Sequence, residues 1–201
     1  MNVDAGGNLK GAVNILYKGE SRSSLLSKLQ GTKRDNVTTA LTNFLSENNA
    51  QYQVGELKTS ALEGADSILT INYNVLYKGG ASTFDKELYI EPDFRKEMDG
   101  ITIEDKRKSD VMLPFRMNVI TEESITIPAG YKVSQLPADK QWSHPNIIVS
   151  MSYKQKGDKI EYKKQLSIPD IVLKAKSFTD WNRIIKELGN QYREQIILEK
   201  K

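Results

Sequence analysis

Apolar and polar residues alternate most cleanly between Met117 and Ile127, where Met117, Val119, Ile125 and Ile127 are separated by Asn118, Glu122, Ser124 and Thr126. A period of two predicts a strand with one face in a core. Thr121 and Glu123 fall on the apolar side, an expectation of nearness to a sheet edge in mid-strand. Pro128-Ala129-Gly130 predicts a reversal, and Tyr131, Val133 and Leu136 begin the return.

The same pattern recurs along the chain. Leu9, Val13, Ile15 and Tyr17 share parity and predict a first strand ending at Gly19. Leu69, Ile71, Tyr73, Val75 and Tyr77 form the longest such set, which predicts a central strand. Tyr52 to Leu57 is a further strand, and Gly79-Gly80 turns into Phe84, Leu88 and Ile90 on one face, closed by Pro92. Leu76-Tyr77-Lys78-Gly79 echoes Leu16-Tyr17-Lys18-Gly19, as an old duplication or two similar strand ends would. Ile147, Val149, Met151 and Tyr153 answer Ile160, Tyr162, Leu166 and Ile168 across Gly157-Asp158. That spacing sets Tyr153 opposite Tyr162, Val149 opposite Leu166 and Ile147 opposite Ile168.

Helical spacing appears three times. Leu25, Leu26 and Leu29 predict a helix near 22–30 capped by Ser21, Ser23 or Ser24. Val37, Ala40, Leu41, Phe44 and Leu45 predict one near 36–48, capped by Asp35 and ending at Asn48-Asn49. Phe178, Trp181, Ile184, Ile185 and Leu188 predict one near 178–189, with Ser177 and Asp180 as its cap pattern and Gly189-Asn190 as its stop, before a strand at Gln195 to Leu198. Gln141 to Asn146 reads as loop. Charged residues dominate Asp93 to Asp110, so a mobile connection and boundary is expected there, dividing an α+β unit (1–110) from a sandwich-like unit (111–201).

Composition narrows the chemistry more than the fold. The 201 residues carry 29 Lys+Arg against 26 Asp+Glu, a formal net charge of +3 with interspersed signs. Nucleic acid demands a concentrated positive field, so that partner is disfavoured. No apolar run is long enough for a membrane helix, and Met1 to Gly7 lacks the basic start and apolar stretch of a signal peptide. There is no cysteine and one histidine. Thiol nucleophiles, disulfides and zinc-thiolate sites are thereby excluded, and His144 has no serine on a strained turn to activate.

The run Ile127-Pro128-Ala129-Gly130-Tyr131-Lys132-Val133, followed by Leu136-Pro137, resembles the region after the catalytic domain in bacterial transglutaminase-like proteins of the DUF3857/DUF3858 type. Gly7 to Val13, Tyr17-Lys18-Gly19 and Arg22 are similar to that region's opening, and Tyr153–Ile168 with Phe178–Leu198 to its closing hairpin, helix and strand. Asp110 stands where a proline is expected. The resemblance implies a non-catalytic accessory domain that packs on, or shapes access to, an upstream transglutaminase-like domain of the same parent chain. It further implies export to the periplasm or cell surface through that parent.

The expectation is therefore an α+β protein, mostly antiparallel and sandwich-like, with two or three short helices on its sheets, no enzyme activity, no cofactor and no metal. The acidic group Asp93, Glu97, Asp99, Glu104 and Asp105 lacks the spacing of a calcium loop and reads as a solvated linker. The alternative function is a free-standing periplasmic or surface glycan- or peptide-binding module using Tyr131, Trp142 and His144. Trp142 would then be a stacking platform; otherwise it folds over a sandwich edge. Lys154, Lys156, Lys159, Lys163 and Lys164 read as the soluble outer face and tip of the closing hairpin, or as a site for an acidic partner.

Overall fold

The computed structural model describes residues 1–4, 6–62, 68–104 and 106–201. In chain order the elements are β1 (Asn2–Val3), β2 (Leu9–Tyr17), α1 (Glu20–Leu29), α2 (Val37–Ser46), β3 (Tyr52–Thr59), β4 (Leu69–Tyr77), β5 (Ala81–Phe84) and β6 (Glu87–Ile90). They continue with β7 (Val111–Met112), β8 (Met117–Thr126), β9 (Tyr131–Gln135), β10 (Lys140–His144), β11 (Ile147–Lys156), β12 (Lys159–Ile168), β13 (Val172–Leu173), α3 (Phe178–Gln191) and β14 (Ile196–Lys200). The fold is α+β and mostly antiparallel. An eight-stranded sheet runs β10-β11-β12-β8-β1-β2-β4-β3, and a four-stranded sheet runs β5-β6-β14-β9.

The closing hairpin has the expected register, with Tyr153 opposite Tyr162 and Val149 opposite Leu166. Gly157 supplies the left-handed turn residue at φ 61°. Strand β8 is not near an edge. It lies between β12 and β2, pairing Tyr162 with Glu123 on one side and Val13 with Glu123 on the other. Strand β4 is second from the edge rather than central, between β2 and β3. After Pro128 the chain does not fold back beside β8; β9 leaves for the small sheet and pairs with β14.

Two apolar clusters fill the space under the large sheet. One gathers the inward residues of β2 and β4 with Leu25, Leu41, Leu45 and the small-sheet residues Leu88, Ile90, Ile196 and Leu198. The other gathers β11 and β12 residues with Phe178, Trp181, Ile184, Ile185 and Leu188 of α3. Trp181 is completely enclosed at 0% exposure, as its place on the apolar stripe requires. The 110/111 boundary separates neither sheet: β2 pairs with β8 and β14 pairs with β6.

Several local expectations change for identifiable reasons. The serines do not cap α1, which starts after Gly19 at φ 54°, and buried Ser21 instead accepts the Asn118 N–H at 2.6 Å. Asp35 sits in a 3-10 turn, Arg34–Asn36, before α2 and makes no side-chain cap bond. Helix α3 lacks a side-chain cap and runs through Gly189 to Gln191. A Cβ at Gly189 would lie 2.4 Å from Asp99 Oδ1, so this glycine gives clearance to a crossing segment. Lys140–His144 is a strand, paired with β11. Phe84 is 74% exposed, because a turn at Asp85-Lys86 resets the face on which Leu88 and Ile90 point inward.

Candidate functional site

Four polar side chains interrupt the inner face of the large sheet at its centre. Thr121 and Glu123 come from β8 and Tyr162 and Lys164 from β12, with Lys164 opposite Thr121 and Tyr162 opposite Glu123. All four are buried. They form a polar seam between the two apolar clusters. Isolated charges could not persist there, because desolvation costs several kcal/mol per ion unless partners replace the lost water.

The partners arrive on the segment after β6. Lys164 Nζ meets Asp93 Oδ2 at 2.5 Å, the Arg95 carbonyl at 2.6 Å and Glu97 Oε2. An ammonium group has three donors, and each finds an oxygen. Tyr162 donates to the same Asp93 oxygen at 2.6 Å, and Tyr192 donates to the Glu97 carbonyl at 2.9 Å. The Tyr192 ring also lies under Lys164, 5.1 Å from Nζ. Burial alone would push Lys164 down, but Asp93 and then Glu97 outweigh it and hold the ammonium well above the usual lysine range. An amine so held is a cation, not a nucleophile.

The segment is clasped along its length. Phe94 stacks on Tyr52 at 3.9 Å between centroids. Arg95 donates to the part-buried Phe44 carbonyl at 2.8 Å, binding a backbone acceptor at the end of α2. Trp181 Nε1 donates to the Ile101 carbonyl at 2.8 Å, and Asn182 brackets Ile103 through its N–H and its carbonyl, each at 2.8 Å. Asp93 to Ile103 is thus a tied strap rather than the mobile connection expected from its charge. Asp93 itself is 3% exposed and Lys164 0%, which removes Lys164 from the solvated hairpin face.

Glu123 completes the seam differently. Among the described residues its Oε2 has no hydrogen-bond partner. Burial, followed by repulsion from Asp93, raises its carboxyl well above the usual range. Asp93 and Glu97 face Lys164 in the seam, and Glu97 also faces Arg95 at 3.7 Å. Tyr17, whose hydroxyl also has no partner among the described residues, is pushed up to about 12 chiefly by burial.

The residues singled out for ligand binding do not converge. Trp142 is 8% exposed within the α3 cluster and donates from Nε1 to Glu187 at 2.8 Å. His144 is half-buried on the same strand, its Nδ1 accepting the Asn146 N–H at 3.2 Å. Tyr131 stands on β9 of the other sheet, half-buried against the first cluster. Of the acidic group, Asp93 and Glu97 hold Lys164, while Asp105 lies outside the described residues. Among the described residues no cluster of His, Asp and Glu could hold a metal ion, and no helix is long and apolar enough to cross a membrane. Sequence reasoning missed the seam, although Lys164 falls in the inward parity between Tyr162 and Leu166, as Thr121 and Glu123 do on β8.

Residues 86–198, spanning the strap and all of β7 to α3, match a family described as Domain of Unknown Function with solved-structure structure (DUF3858). No curated protein and no solved structure matches the chain.

Proposed function

The chain belongs to the DUF3858 family, and we propose that it is a non-catalytic accessory domain that packs against a transglutaminase-like catalytic core. The observation that carries this reading is the sealing of the seam. A buried group of charged side chains ties the strap to the sheet, with Lys164 enclosed and Asp93 and Glu97 turned onto it. Such a centre positions backbone rather than substrate. The cysteine-free sequence supports the same reading, since a papain-type transglutaminase works through a thiolate. The domain would belong to the parent chain of that core, downstream of it, and would be exported with it.

The test is a calorimetric titration of this chain against the papain-like domain encoded in the same reading frame, alongside an amide-transfer assay of each alone. A micromolar or tighter complex is expected, with turnover confined to the papain-like partner. Turnover by this chain alone, or no complex with that partner, would overturn the reading.

A further inference from the structure

Among the described residues the opposite face of the large sheet carries a groove of about 530 Å³. Its floor follows from residue size. Ala12 and Ser124 are short side chains on β2 and β8, just where those strands part to admit β1, which pairs Asn2 with Lys10 on one side and Thr126 on the other. Beside this hollow runs a row set by the strand registers: Lys58 opposite Asn72, Asn72 opposite Asn14, Asn14 opposite Glu122, and Glu122 opposite Lys163. At the usual strand spacing the row spans about 19 Å. Asn74 faces Ala12 from β4.

The row's chemistry selects its occupant. Lys163 and Glu122 pair at 2.6 Å and Glu161 at the groove margin pairs with Lys156 at 2.7 Å, while Lys58 and Glu56, of opposite sign, line the β3 side. Asn14 and Asn72 join at 2.6 Å, leaving amide donors and acceptors to face outward, as Asn74 also does. Amides offering both donor and acceptor suit hydroxyl groups, which are both at once. A protein interface is a poorer fit, because interface centres are depleted of Lys and Glu and enriched in aromatics. At the groove's rim, β3 carries an irregularity between Gly55 and Lys58 that places Glu56 at φ 47°. Edge bulges of this kind re-aim side chains.

We infer that this groove binds a neutral, polyhydroxylated chain, an oligosaccharide of a few sugar units, through Asn14, Asn72 and Asn74. This does not depend on the accessory role. It moves ligand recognition from the Trp142 strand edge to the opposite face of β2, β4 and β8. The experiment is a titration of the full isotope-labelled chain with cellotetraose, maltotetraose and chitotetraose, followed by amide chemical shifts. At least one should shift the signals of Ala12–Asn14, Asn72–Asn74 and Glu122–Ser124, with the β10 and α3 signals unmoved. Asn74→Ala should weaken that binding about tenfold, the scale of one lost hydrogen-bond pair. Ala12→Trp, at an exposed position, should abolish it at unchanged melting temperature. The inference is overturned if none of the three sugars at millimolar concentration moves these signals, or if Ala12→Trp binds as well as the parent. It also fails if these signals answer only to a papain-like protein domain, which would make the face a protein interface.

Discussion

Two adjacent pairs of residues show how differently one sheet treats the same chemistry on its two faces. Glu122 and Lys163 form an exposed ion pair across β8 and β12 at 2.6 Å. The next residues along, Glu123 and Lys164, turn inward, where Lys164 is enclosed by Asp93 and Glu97, and Glu123 Oε2 lacks a partner among the described residues. In water the pair gains little, because solvent screens the attraction and the side chains lose entropy. Inside, the same groups become conditional on one another, for each removed partner leaves a charge with nothing to replace its hydration. The outer pair decorates the sheet; the inner group fixes where a whole segment of chain must lie.

The comparison breaks if the two lysines prove equivalent. Lys164→Ala should cost about 3–5 kcal/mol by leaving Asp93 and Glu97 buried without their cation, whereas Lys163→Ala should cost no more than about 1 kcal/mol. Urea melts of the two variants decide this, and similar midpoints would refute the contrast. A sharper form removes the whole charged group. Lys164→Met combined with Asp93→Asn and Glu97→Gln should recover most of the loss, to within about 2 kcal/mol of the parent, since no unpaired ion remains. A triple variant no better than Lys164→Ala would show that packing, not charge, holds the strap.

The pH response separates Glu123 from Glu122. Glu123 has its folded pKa raised by burial, so its contribution is fully present below its unfolded pKa and is lost as pH rises through the folded value. Stability should therefore decline above about pH 5 with a slope of at most about 1.4 kcal/mol per pH unit from this group. In Glu123→Gln that decline should flatten, making the variant the more stable protein at alkaline pH; melts at pH 5 and pH 8 check it. Glu122→Gln, on the solvent face, should leave the profile unchanged to within about 0.5 kcal/mol. Tyr17→Phe should also act weakly. It deletes a buried hydroxyl without a partner among the described residues, so stability should stay level or rise by up to about 1 kcal/mol. A loss larger than that would reveal a bond to this hydroxyl in solution.

Local periodicity made much of the fold legible. The α3 stripe, the Gly157-Asp158 hairpin and the inward set of β8 each depend on residues close in sequence, where helical and strand geometry translate directly into burial. The seam was hidden because it needs two non-local facts, that β12 pairs with β8 and that Asp93 returns over both. Without the first, Thr121 and Glu123 read as an edge and Lys164 as a solubilising lysine. Without the second, the acidic run reads as linker. Strand β10 escaped because Gln141, Ser143 and Lys140 face solvent on an edge, leaving Trp142 as its chief apolar signal. The outer groove was equally silent, since asparagines on alternate strand positions look like ordinary solvent-facing residues until the registers align them.

The position of β14 has a kinetic corollary. It lies between β6 and β9, pairing Ile196 with Ile90 and Lys200 with Tyr131, although roughly a hundred residues separate it from the first of these partners. The β5–β6 hairpin can form early, but β9 has no other strand to join among the described residues. The small sheet must therefore wait for one distant segment to be captured, after long loops have closed at an entropic cost. Refolding should accordingly be paced by that search, on the millisecond-to-second scale of chains dominated by non-local pairings. Until then the inward faces of Leu88 and Ile90 stand uncovered, the kind of transient apolar surface at which a folding chain is most prone to associate with its neighbours.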